Sequence, residues 1–190
     1  LTRGLRLESD LKVGTYLPMI YHVGDQPFTY SVFLCAGTLV LGRRPNPDHI
    51  AEMIDAEGVT ALWAGSPAMV RALDAVLTAR PDLDARSLTV IVYGWAALPP
   101  ATLASMERHC GDDLCVFEIF GQTESISCHR FWPGEWPELY AATAPQQNYV
   151  GVPSPILAST VLAPDGRDLA GRPGVAGCAA TRRASESRSA

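Results

Sequence analysis

Between Leu11 and Phe120, short apolar runs alternate with longer stretches whose apolar residues recur every three or four positions. The runs LKVGTYLPMI, TLVLG, VTALWAG, LTVIVYG and LCVFEIFG predict strands, being short, apolar and closed by glycine or polar breaks. PFTYSVFLCAG predicts a buried helix stopped by Gly37. Three amphipathic segments predict further helices. NPDHIAEMIDAEG has Asn46 as cap, Pro47 in the first turn and Gly58 just past the end; SPAMVRALDAVLTAR starts on Ser66 and Pro67; PPATLASMERHCG closes at Cys110. Strands apolar on both faces and alternating with helices predict an α/β fold, a largely parallel sheet with helices on both faces.

Beyond Glu124 the pattern changes. SCHRFWPGEWPELYAATAPQQNYVG is rich in Pro, Trp and Gly and reads as an ordered loop, and SPILASTVLAPDGRDL as a strand leaving through an Asp-Gly turn. The segment GRPGVAGCAATRRASESRSA has almost no large apolar residues and reads as a disordered tail. The expected division is therefore a folded part over 1–169 and a tail over 170–190.

Composition narrows the function classes. The chain has 190 residues, 47% hydrophobic and 18% charged, which describes a globular domain or part of a larger one. A net charge of −5 argues against nucleic acid or an anionic membrane as partner. The apolar runs are too short to span a bilayer, and no basic-then-apolar leader opens the chain, so a cytoplasmic location is expected. Five cysteines without framework spacing suit a reducing compartment. His109, Cys110, Cys115, Cys128 and His129 are potential zinc ligands, but without a CxxC pair they read better as buried thiols and packed histidines.

Candidate chemistry collects behind the strands. In an open parallel sheet, ligands bind beyond the carboxyl ends of the strands. Those ends carry Tyr21-His22-Val23-Gly24, Gly65-Ser66-Pro67, Gly94-Trp95-Ala96-Ala97 and Phe120-Gly121-Gln122-Thr123-Glu124. Small residues let a flat ligand approach, and Phe120 offers a stacking face. Thr123 can donate to a phosphate oxygen, and Glu124 can hold a magnesium ion that bridges phosphates. These residues suggest a nucleotide-phosphate site. A plainer reading stays open: Gly-Gln-Thr-Glu could be a helix start capped by Thr123.

Four segments in order carry a resemblance. YLPMIYHVGD, YGWAALPPATL, FGQTES and NYVGVPSPILASTVLAPDGRDL resemble, respectively, the Pro-x-x-His-x-x-Gly, Gly-Gly-Ala-Pro-Leu-Pro, Tyr-Gly-x-Thr-Glu and Gly-x-Pro segments of adenylate-forming acyl-CoA synthetases, the AMP-dependent synthetase/ligase family. The resemblance runs from Leu11 to Leu169 and implies an internal fragment of the large N-terminal domain. It implies that Phe120, Gly121, Gln122 and Thr123 meet the nucleotide, with Phe120 stacked on adenine and Gly94, Trp95 and Ala96 on its other side. Thr123 would touch the α-phosphate and Glu124 would carry Mg²⁺. His22, Val23, Gly24 and Trp95 would border the acyl and pantetheine tunnels.

The implied activity is that of a ligase in fatty acid metabolism. A carboxylate attacks the α-phosphate of ATP to give an acyl-adenylate and pyrophosphate, and the thiol of CoA then displaces AMP.

Three departures qualify this. Phe120 replaces the usual Tyr, Trp95 a usual Gly or Ala, and Ala97 the usual Pro. The family's phosphate loop and catalytic Lys match no segment, and Lys12 is the last lysine of the sequence. The expectation is a fragment, inactive alone, of an ATP-dependent carboxylic acid:CoA ligase. The alternative is a catalytically dead nucleotide- or acyl-binding module. Trp95 implies a short or flat ring-containing acid, unless the indole turns into the core and fills a gap left by Ala97. The oligomeric state has no sequence signal.

Overall fold

A computed structural model of the chain describes residues 10–21, 29–122, 125–155, 157–169 and 175–180. The predicted alternation of strands and helices is present. Strands β1 (Lys12–Thr15), β2 (Thr38–Leu41), β3 (Ala61–Gly65), β4 (Val90–Gly94) and β5 (Cys115–Gln122) pair in parallel in the order β2-β1-β3-β4-β5. Strand β6 (Ser125–Phe131) adds antiparallel to β5, and β7 (Val152–Pro153) antiparallel to β6, completing a seven-stranded sheet. The protein is thus an α/β fold built on a mostly parallel sheet. Among the described residues, no helix is long and apolar enough to cross a membrane.

Alternation along the central strands sends side chains to two different cores. Leu62, Ala64, Ile91, Tyr93 and Val116 meet helices α2 (Pro47–Glu57), α3 (Pro67–Ala79) and α4 (Pro100–Cys110) through Ile54, Leu73 and Met106. Ala61, Trp63, Val90, Val92, Phe117 and Ile119 face the other way, onto Val32 of the short helix α1 (Tyr30–Leu34) and onto Trp132.

Helix starts and stops follow local chemistry. Asn46 accepts from the backbone N–H of His49 at 3.1 Å, and Gly58 ends α2 in the left-handed region at φ +61°. Ser66 caps α3 through the N–H of Met69.

Two expectations are corrected. α1 is a single exposed turn rather than a buried helix: Phe33 is 70% and Leu34 80% exposed, because only Ser31 and Val32 reach the sheet. The segment read as an ordered loop contains β6, a 3₁₀ turn at Pro133–Glu135 and helix α5 (Pro137–Thr143). Pro133 and Pro137 stand at the helix starts, where a missing N–H costs nothing. As expected, β8 (Leu157–Leu162) leaves through the Asp165-Gly166 turn; it pairs antiparallel with β9 (Val175–Ala180). A two-stranded ribbon is joined by backbone hydrogen bonds, so small residues suffice.

Candidate functional site

The parallel strands end level with one another at their carboxyl edge. Gly65 pairs with Tyr93 and Gly94 with Ile119, so Trp95 and Phe120 follow each other across adjacent strand ends. This edge is where an open parallel sheet forms its ligand crevice.

Two glycines are required here by contact. A Cβ on Gly94 would lie 2.9 Å from the carbonyl oxygen of Ile119, so the β4–β5 spacing admits no side chain there. Gly65 has φ +74°, and a Cβ on it would lie 2.6 Å from the Tyr16 hydroxyl oxygen and 3.4 Å from Cζ3 of Trp95. Tyr16 donates to the carbonyl of Ala64 at 2.6 Å, and burial pushes its pKa to about 12, so it remains a donor at neutral pH.

Trp95 lies in the left-handed region at φ +75° and is 71% exposed. Its ring leans edge-on against Trp63, with centroids 6.1 Å apart and planes at 60°. The core-filling reading of this indole is thereby overturned. Ala97 packs instead among Phe131, Tyr140 and Ala144, which leaves no gap for Trp95 to fill.

Phe120 is 39% exposed, and its ring stands edge-on to His129, its register partner on β6, at 6.0 Å. Gly121 and Gln122 are exposed residues of β5, and Gln122 pairs with Ser125. The chain therefore reverses into a strand directly behind Phe120, and the helix-start reading of Gly-Gln-Thr-Glu gives way to a hairpin. Thr123 and Glu124 lie outside the described residues, as do His22, Val23 and Gly24.

Sequence reasoning missed the polar group under Phe120. Glu118, two residues back on the same face of β5, is only 2% exposed. Its Oε1 accepts from Nδ2 of Asn148 at 2.9 Å, while Oε2 is buried with no hydrogen-bond partner among the described residues. Burial raises its pKa to about 7, opposed by the bond from Asn148. Tyr93 is its register partner on β4, and burial together with Tyr140 and Glu118 holds that phenol protonated. Tyr140 of α5 donates to the carbonyl of Leu98 in the same buried layer. His129 is buried, its Nδ1 without a partner among the described residues, and burial lowers its pKa toward the neutral imidazole. A glutamate inside the apolar run VFEIF was the available signal.

Taken together, the edge offers a half-exposed aromatic face at Phe120, a glycine at 94 beside it, and buried hydrogen-bonding groups beneath. That suits a flat, polar-edged ligand. No lysine stands at this edge. The single lysine, Lys12, stands at the opposite, amino end of β1, where its ammonium donates to the carbonyl of Glu57 at 2.7 Å.

Among solved structures, similar folds include a long-chain-fatty-acid CoA ligase described as putative from Rhodopseudomonas palustris, with TM-score 0.73 and 20% identity, covering 94% of this chain and 41% of that one. The luciferase-like enzyme of the nonluminescent mealworm Zophobas morio matches with TM-score 0.73 and 16% identity, over 93% of this chain and 41% of that one. The amide bond synthetase McbA of Marinactinospora thermotolerans matches with TM-score 0.67 and 22% identity, over 90% of this chain and 33% of that one. The chain thus spans well under half the length of these structures. No curated protein matches the sequence. A match to the family described as AMP-binding enzyme runs over residues 2–183, nearly the whole sequence, and the chain belongs to that family.

Proposed function

We propose that the chain is part of an ATP-dependent carboxylic acid:CoA ligase and carries its adenine-binding edge. The observation that supports this most is the pairing of Gly94 with Ile119, which sets Gly94, Trp95 and Ala96 beside Phe120, Gly121 and Gln122 at adjacent strand ends. The adenine would lie on the Phe120 ring, with the bare backbone at Gly94 allowing approach from the β4 side.

Thr123 would donate to the α-phosphate as the carboxylate of the acid attacks it. Charge builds on the phosphate oxygens in that step, so a fixed donor there lowers the barrier. Glu124 would hold Mg²⁺; a carboxylate and a hydroxyl between the paired residues Gln122 and Ser125 fit the oxygen ligands that ion takes, and it would neutralise the phosphates. His22, Val23 and Gly24 would border the path of the pantetheine thiol of CoA, which displaces AMP. The setting would be cytoplasmic.

Because Lys12 sits at the far edge, no lysine of this chain can reach the phosphates, and the chain alone should not turn over. Pyrophosphate release from ATP with a panel of carboxylic acids tests this. Carboxylate-dependent release by the purified 190-residue chain would overturn it. AMP should nevertheless bind weakly, and Phe120→Ala should weaken it by about 1–3 kcal/mol, the range for a base on an aromatic ring. Equal AMP affinity in both proteins would remove Phe120 from the site.

A further inference from the structure

We propose that Trp95 is a specificity-determining residue, and that its exposed indole face selects a planar aromatic carboxylic acid over an alkanoic acid of similar length. The proposal rests on the ligase reading above for the identity of the ligand as an acid, and on the following geometry for its shape.

A bulky residue with positive φ is a genuine outlier, and such a conformation persists only where the surroundings enforce it. Trp95 has φ +75°, between Gly94 and Ala96, at the carboxyl end of a central strand. Burial does not explain it. The indole is 71% exposed, whereas buried tryptophans such as Trp63 repay their position by packing.

The backbone turn does one visible thing: it lays the ring across the end of β3. There Gly65, itself at φ +74°, leaves open the space that Cζ3 of Trp95 approaches. The indole is thus held where its Cζ3 approaches Gly65 and where its ring meets that of Trp63, with centroids 6.1 Å apart. Trp63 is in turn fixed within the sheet core, and Tyr16 is tied to Ala64.

A ring held by these contacts and otherwise 71% exposed can serve as a stacking platform. Trp95 and Phe120 stand at adjacent strand ends, so an acid on the indole would sit at the same sheet edge as the proposed nucleotide site. An extended alkyl chain gains only area against such a wall, while a planar ring gains both area and the offset-stacked or edge-to-face geometry that aromatic pairs prefer. Trp95 would act by shape and stacking alone, without chemistry of its own.

The test measures binding of 2-naphthoate and octanoate to the 190-residue chain by calorimetry, in wild type, Trp95→Gly and Trp95→Phe. Glycine accepts φ +75° without strain, so Trp95→Gly should fold at least as well as wild type, and its melting curve checks this. Wild type should bind 2-naphthoate more tightly than octanoate. Trp95→Gly should lose about three- to tenfold for naphthoate with no loss for octanoate, and Trp95→Phe should keep most of the preference. Unchanged naphthoate affinity in Trp95→Gly would overturn the proposal, as would failure of wild type to bind naphthoate or to prefer it. AMP titration separates the two readings. A Trp95-dependent naphthoate preference without AMP binding would uphold the platform and sink the adenylating role; AMP binding without that preference would do the reverse.

Discussion

The two ends of the sheet are held together by different forces. The parallel part, β2 to β5, is an aliphatic core: Leu62, Ile54, Leu73 and Ile91 are fully buried between the strands and helices α2 to α4. The antiparallel end, β6 to β7 with α5, is joined by rings and buried polar bonds. Phe131 stacks on Trp136 at 5.3 Å and on Tyr149 at 5.8 Å, and Glu118 bonds Asn148 across the layer. Aliphatic packing is indifferent to pH, whereas a half-paired buried carboxyl is not. The candidate site straddles the seam, with Trp95 on the first part and Phe120 leaning on the second.

The largest effect should come from the aliphatic side. Leu73→Ala leaves a cavity beneath α3 and should cost about 3 kcal/mol, read from the urea midpoint. A loss under about 1 kcal/mol would mean that this core collapses around the gap and is no tighter than the antiparallel end.

The second effect belongs to the polar side and depends on pH. The folded chain raises Glu118 from 4.5 to about 7, so folding favours the protonated acid. Its contribution is complete below pH 4.5 and is lost as pH rises through about 7, because the unfolded chain gives up that proton first. Stability should therefore fall by about 2 kcal/mol over that window, and Glu118→Gln should flatten the decline. A wild-type curve that already lacks this slope would show that the carboxyl finds water or a partner, and the contrast between the two ends would shrink.

The smallest effect concerns a single cap in the aliphatic half. Asn46→Ala removes the acceptor for the N–H of His49 and should cost about 1 kcal/mol, with the pH profile unchanged. Faster amide exchange confined to the first turn of α2 would locate it; a change spread over β6 would contradict the separation of the two parts.

What could be read from residues alone follows this division closely. In the parallel half each decision is local. Asn46, Pro47 and Gly58 delimit α2, Ser66 and Pro67 begin α3, and short apolar runs closed by glycine favour buried strands. The order of strand ends then placed Gly94 to Ala96 and Phe120 to Gln122 on one edge before any coordinates. The antiparallel end resisted because its cues are ambiguous singly. SISCHRF lacks a strong strand period, and becomes β6 only because β5 offers it an edge. VAGCAA is too small-sided to announce a strand, yet β8 supplies the backbone partners that make it β9.

Within the site the same boundary holds. Sequence by itself determined the α/β class, the order of the elements and which residues follow each strand, since these depend on spacing and on conformational preferences carried by each residue. Only the tertiary structure decided that Gly-Gln follows β5 as strand rather than helix, that Glu118 is buried with one oxygen unpaired, and that Trp95 stands out of the core at φ +75°. Each of those depends on what a neighbouring strand or helix leaves open, and no residue carries that information about the space around it.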